Sequence, residues 1–184
     1  MIGDRLIIGE HHEKAAEKIF SLIETAIAES KKYTISVGGE SGSGKSEIGS
    51  ALAELVGGKT GKKPAVIQQD DYFIYPPHSN AEKRRRDPEW TGMKEVKLDL
   101  LDAHIAAFKA GKGEIIKPVV HYSEDRITEE VMKFDEISVL VIEGTYTTIL
   151  KNIDSKVFID RTYKETKKAR LQRAREQQDS HLEE

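Results

Sequence analysis

The chain contains no cysteine. Disulfides and thiolate metal sites are therefore excluded, and a reducing compartment is expected. No apolar run approaches the roughly 20 residues that a bilayer-spanning helix needs, so no membrane partner is expected. Charged residues from Asp4 onward interrupt what would be the apolar stretch of a signal peptide, which leaves the cytoplasm as the default location. An excess of either charge is missing too. Lys and Arg total 29 against 32 Asp and Glu, for a net charge of −3, which argues against nucleic-acid binding by bulk electrostatics. There is no internal repeat and no low-complexity tract. A length of 184 residues suits one domain with its own core, spanning 1–184.

Glycine, by contrast, is concentrated where it carries information. Gly39-Glu40-Ser41-Gly42-Ser43-Gly44-Lys45-Ser46 fits G-x-x-x-x-G-K-[ST], the phosphate-binding P-loop. Small residues let successive backbone N–H groups turn toward phosphate oxygens. Lys45 reaches the β- and γ-phosphates, and the Ser46 hydroxyl can ligate Mg²⁺. The flanks agree. Tyr33-Thr34-Ile35-Ser36-Val37 is β-branched and strand-like, whereas Ile48, Ala51, Leu52 and Leu55 follow at helical spacing. The loop therefore leaves a strand and enters a helix whose N-terminus favours anions.

The remaining elements alternate. Ala15, Ala16, Ile19, Phe20, Ile23, Ala26 and Ile27 predict an amphipathic helix from about Glu10 to Ser30 within a leading region, 1–32. Gly57-Gly58 is expected to stop the P-loop helix. Ala65 to Gln68 reads as a short buried strand. Residues 74–95, with Pro76, Pro77 and Pro88, read as an irregular excursion. Leu98, Leu101, Ile105 and Phe108 predict a helix ending near Gly111. Ile115–Tyr122, Val139–Ile142 and Lys156–Ile159 read as strands, and a charged helix from about Lys164 to Gln178 falls in a terminal region, 162–184. Alternating strands and helices argue for an α/β fold with a mainly parallel sheet flanked by helices in three layers.

In such sheets ligands sit beyond the carboxyl ends of the strands. Asp70 and Asp71 follow one such end. Asp70 is the expected base, accepting a proton from an acceptor hydroxyl as it attacks a γ-phosphate; Asp71 is the expected cap or solvated neighbour. Glu143 ends the apolar strand at Val139–Ile142 and resembles a Walker B acid that holds Mg²⁺. Arg170 and Arg173, three residues apart on the last helix, could close over the transferring phosphate; Arg175 is a weaker companion. The run Lys83-Arg84-Arg85-Arg86 either attracts an anionic substrate or is simply solvated. Tyr122 and Arg126, beyond a strand end, could line an acceptor pocket. His121 alternates with Tyr122 and points to the other face. His11 and His12 have no acid or second pair at ligand spacing and read as surface residues.

Taken in order and spacing, these segments resemble the uridine kinase and phosphoribulokinase group of P-loop kinases, from about Tyr33 to Asp179. The anchors are Gly39–Ser46, Gln69-Asp70-Asp71-Tyr72-Phe73, Pro118–Arg126, Ile142-Glu143-Gly144, and Val157–Asp160 followed by Arg170-Leu171-Gln172-Arg173. The resemblance implies an ATP-dependent, Mg²⁺-dependent phosphotransferase acting on a small-molecule hydroxyl, in the first place a nucleoside. ATP would lie on Gly39, Glu40, Ser41, Gly42, Ser43, Gly44, Lys45 and Ser46. Asp70, Phe73, Asp87, Tyr122 and Arg126 would hold the acceptor, and Arg170 and Arg173 would be lid arginines. The chain departs from uridine kinases in reading Ser123-Glu124 after Tyr122 and in lacking a His just before Arg126. Those relatives also add a strand and helix after the lid, which implies either a reduced relative or a longer chain. The leading helix is closer to members acting on sugar phosphates, glycerate or pantothenate.

Two other classes stay open. A GTPase or mechanical NTPase shares the P-loop, but no Asn-Lys-x-Asp guanine signature occurs. A non-catalytic nucleotide-binding module would bind ATP without turnover. The sequence leaves a homo-oligomer open.

Overall fold

Ala16, Phe20, Ile23 and Ile27 form the buried stripe of α1, Glu10–Glu29, as their three- and four-residue spacing predicts. Each of the larger three contributes roughly 2 kcal/mol of burial before entropy is counted. The computed structural model describes residues 6–167 and Leu171. After α1 come β1 (Tyr33–Gly39), α2 (Lys45–Thr60) and β2 (Lys63–Gln68), then a short 3₁₀ turn over Gln69–Tyr72. Next are α3 (Pro77–Arg86), α4 (Leu98–Lys109), β3 (Glu114–His121), β4 (Arg126–Lys133), β5 (Ile137–Gly144) and β6 (Ser155–Ile159).

Four strands form a parallel sheet in the order β2-β5-β1-β6. The apolar run in β5 has both faces covered, which accounts for its continuous hydrophobicity. Val139 and Val141 face a core shared with α1 and α2, whereas Leu140 and Ile142 face Leu101, Ile105 and Phe108 of α4. The three-layer α/β architecture expected from the sequence is the one observed. Among the described residues no helix is long and apolar enough to cross a membrane.

Register decides what meets at the carboxyl edge. Glu143 lies level with Val37 of β1 on one side and Gln68 of β2 on the other. The P-loop leaves β1, and Asp70 follows β2 by two residues, so three strand ends converge on one place.

Three local expectations differ from the structure. The P-loop helix runs through Gly57-Gly58 to Thr60, and Gly61 at φ 68° ends it by donating its N–H to the Gly57 carbonyl; a glycine at this left-handed position is the usual helix stop. Residues 74–95 are not wholly irregular. They include α3, opened by Pro77 in the first turn, where a missing N–H costs nothing. The strand ending at His121 returns as β4, an antiparallel partner pairing His121 with Arg126 and Glu114 with Lys133.

Asp71 is also elsewhere than expected. It is buried, its carboxylate 3.0 Å from Lys117 Nζ while accepting the Val120 N–H at 3.0 Å. It is an internal brace between the turn after β2 and the hairpin, not a solvated cap. An ion pair with both partners out of water holds only when hydrogen bonds complete it, and here the Val120 N–H does so.

Candidate active site

The P-loop turns through a bond from the Ser43 N–H to the Glu40 carbonyl, and α2 begins with the Ile48 N–H bonding back to Gly44. Gly44 sits at φ 95°, a conformation that residues with a Cβ rarely adopt. Lys45 extends back over the loop and donates to the Glu40 carbonyl at 2.9 Å.

Glu143 is almost wholly buried behind this loop. Burial first, and the neighbouring Asp70 second, push its carboxyl up to about 7, against the pull of Lys45 and a hydrogen bond with Ser46. Two carboxylates thus face one site beside the Lys45 ammonium. The oxygen-only set of Ser46 and Glu143 fits Mg²⁺, which takes one or two protein oxygens and completes its shell with phosphate and water. A divalent cation there would offset the charge that burial disfavours. Among the described residues there is no group of three or more His, Cys, Asp or Glu that could hold a metal.

These groups open onto a cleft of about 560 Å³. Its lining includes Glu40, Ser41, Lys45, Ser46, Asp70 and Glu143 from the P-loop and the strand ends, together with Phe73, Tyr75, Asn80, Arg84, Tyr122 and Tyr146. The structure therefore brings the P-loop, Asp70, Phe73, Tyr122 and Glu143 around one space. It does not bring Asp87 or Arg126 there. Asp87 closes α3 and is paired with Lys83 at 3.1 Å, and Arg126 pairs with Glu124 at 2.6 Å, side chain 56% exposed. Both have nearer partners at the surface. His121 bonds Thr128 on the hairpin, as its alternation with Tyr122 predicts. Arg170, Arg173 and Arg175 lie outside the described residues.

The basic run Lys83–Arg86 is the last turn of α3, not a loop, and only Arg84 among the four lines the cleft. Its guanidinium is paired with Glu95 at 2.5 Å and stands 5.9 Å from the Phe73 ring centre. Glu95 is itself fully buried, accepting from Asn80 and from the Gly92 N–H, and Trp90 donates to Asn80 at 2.8 Å. Four residues from one segment so fix the orientation of Arg84. Periodicity could not find them, because the segment has no apolar stripe; the one available signal was the density of charge around a single Trp. Gln69 was missed as well. It is buried, and its Oε1 accepts the Tyr146 N–H at 2.7 Å, setting one edge of the cleft.

His12 is the last departure. It is not a free surface residue but half-buried against the loop. A Cβ placed on Gly44 would stand 2.9 Å from its Nε2.

Comparison with known proteins identifies the family and the fold. The sequence model of the Phosphoribulokinase / Uridine kinase family matches residues 34–183. The bifunctional alpha-galactosidase/sucrose kinase AgaSK of Mediterraneibacter gnavus is 30% identical over 79% of this chain and 17% of its own length. The uridine kinase of Histophilus somni (strain 2336) is 30% identical over 68% of this chain and 61% of its own. The chain thus spans less than two thirds of either relative. A crystal structure from Silicibacter sp. TM1040, provisionally assigned as a fructose transport system kinase, superposes with a TM-score of 0.70 at 16% identity, over 92% of this chain and 84% of that one; at that identity the likeness speaks for the fold.

Proposed function

This chain belongs to the phosphoribulokinase/uridine kinase family, and we propose that it is an ATP-dependent kinase that phosphorylates a hydroxyl of a sugar or sugar-bearing molecule. The observation that carries the reading is the convergence of Lys45, Ser46, Glu143 and Asp70 on one cleft that Phe73, Tyr75, Tyr122 and Tyr146 also line. P-loop N–H groups and Lys45 would hold the phosphates of ATP. Ser46 and Glu143 would hold Mg²⁺, which when bound neutralises charge on the β- and γ-phosphate oxygens.

Asp70 orients the acceptor hydroxyl and takes its proton. As the acceptor oxygen bonds to the γ-phosphorus, the bond from that phosphorus to the bridging oxygen breaks and ADP leaves. Lys45 follows the charge that develops on the transferring oxygens. Arg170 and Arg173 would add guanidinium donors on the open side. Phe73, Tyr75 and Tyr122 offer faces suited to the apolar side of a sugar or base ring.

The nucleoside acceptor expected from the resemblance loses two of its carriers with Asp87 and Arg126 outside the cleft. It stays within the proposal as one sugar-bearing molecule among others. A second reading, an acceptor with a phosphate or carboxylate, is favoured by Arg84 alone, the fixed guanidinium of the cleft.

The test is ADP release from Mg²⁺–ATP with uridine, cytidine, fructose, sucrose, ribulose 5-phosphate, glycerate and pantothenate. Stimulation by a neutral sugar or nucleoside is the expected result. Stimulation only by an anionic acceptor selects the second reading. Acceptor-independent hydrolysis, or ATP binding with no turnover, contradicts both.

A further inference from the structure

The leading helix reaches the nucleotide site by an unanticipated side chain. The Gly9 N–H donates to His12 Nδ1 at 3.1 Å. A ring nitrogen that accepts a hydrogen bond carries no proton, so in the neutral ring the proton is on Nε2. The Nε2 edge of the ring lies beside Gly44, 2.9 Å from where a side chain's Cβ would stand. No acceptor for this N–H is found among the described residues. The ring lies against that of His11, with centres 3.8 Å apart and planes tilted by 44°.

Reaction geometry says what passes this point. In-line transfer puts the acceptor and the leaving ADP on opposite sides of the γ-phosphorus. The acceptor cleft lies on the Lys45, Asp70 and Glu143 side and includes neither Gly44 nor His12. The nucleoside end must therefore leave the loop by another flank, and His12 forms part of the flank at Gly44. Burial, then the neighbouring His11, lower the readiness of His12 to take a proton. A neutral donor suits the uncharged sugar and base better than it suits phosphate.

We propose that His12 is a nucleotide-binding residue whose Nε2–H donates to the ribose or base of the bound adenine nucleotide, making α1 part of the nucleotide site. This rests on the kinase reading above. The test is titration calorimetry with Mg²⁺, using ADP and inorganic tripolyphosphate as separate probes, on the full chain and on His12→Ala and His12→Gln. One lost hydrogen bond predicts an ADP affinity about five- to tenfold weaker in His12→Ala, unchanged tripolyphosphate binding, and partial recovery in His12→Gln, whose amide can donate. An ADP affinity within twofold of wild type in His12→Ala overturns the proposal. An equal loss for ADP and tripolyphosphate also overturns it, since His12 would then act by shaping the loop. Wild-type protein that binds neither probe overturns the kinase reading and this proposal together.

Discussion

Asp125 caps α3 from across the chain through Ser79. In the turn between β3 and β4, its carboxylate accepts the Ser79 hydroxyl at 2.6 Å and the Ser79 N–H at 3.1 Å, and also the His78 N–H at 2.7 Å. Both tied elements supply cleft wall: Tyr122 precedes the turn, and Asn80 and Arg84 follow Ser79 on α3. An N-cap is normally local; this one, 46 residues away, ties together two elements that line the cleft.

Asp125→Ala is therefore expected to cost about 1 kcal/mol of stability and to raise the acceptor KM severalfold while leaving the ATP KM in place. Thermal melts and steady-state kinetics with each substrate varied separate the two effects. A parallel rise in both KM values argues against a role confined to the acceptor wall.

Arg84→Ala leaves the buried Glu95 carboxylate without its cation and so also costs stability, but its effect on KM discriminates between acceptor classes. A charge-assisted hydrogen bond to an anionic acceptor predicts a rise in KM on the order of tenfold or more. A neutral sugar should be affected much less. The comparison needs one acceptor of each kind and the same variant.

Lys117→Ala should be among the most destabilising single changes, by about 3 kcal/mol or more, because it leaves the buried Asp71 carboxylate without its cation. Lys117 also pairs with Glu130 at 2.9 Å, but Glu130 is half-exposed and water can replace that partner. Asp71→Asn should cost less, since it leaves no buried carboxylate. Urea denaturation of both variants checks the order.

Asp154 gives a pH prediction. Burial would raise its carboxyl, but hydrogen bonds from Lys109 and from the Thr34 hydroxyl and N–H outweigh this and hold it below the usual range. A depressed folded pKa means the stabilisation is present above the unfolded value of about 3.8 and is lost as pH falls through the lower folded value. Asp154→Asn should be less stable at neutral pH and show a flatter loss in acid. Stability measured from pH 7 to pH 2 would show equal slopes if Asp154 did not contribute.

What the sequence disclosed follows from where each signal is encoded. The P-loop, Asp70 and Glu143 were legible because strand, loop and helix are adjacent in the chain and strand ends in a parallel sheet share one edge. The Asp71–Lys117 pair and the Asp125 cap each join residues 46 apart, which no local pattern records. Helix α3 buries only Asn80, so it has no apolar stripe to read. Strand β4 has no fully buried residue, so its alternation is weak. Asp87 was placed by resemblance alone and Arg126 by its position beyond a strand end as well, and their surface partners hold both elsewhere.

The central claim is that Asp70 takes the proton of the acceptor hydroxyl. The most direct measurement compares kcat with the best acceptor, and the affinity for ADP, between wild type and Asp70→Asn. The account predicts kcat lower by about 10²- to 10⁴-fold with ADP affinity unchanged. A kcat within about threefold of wild type, far inside that range, would contradict it.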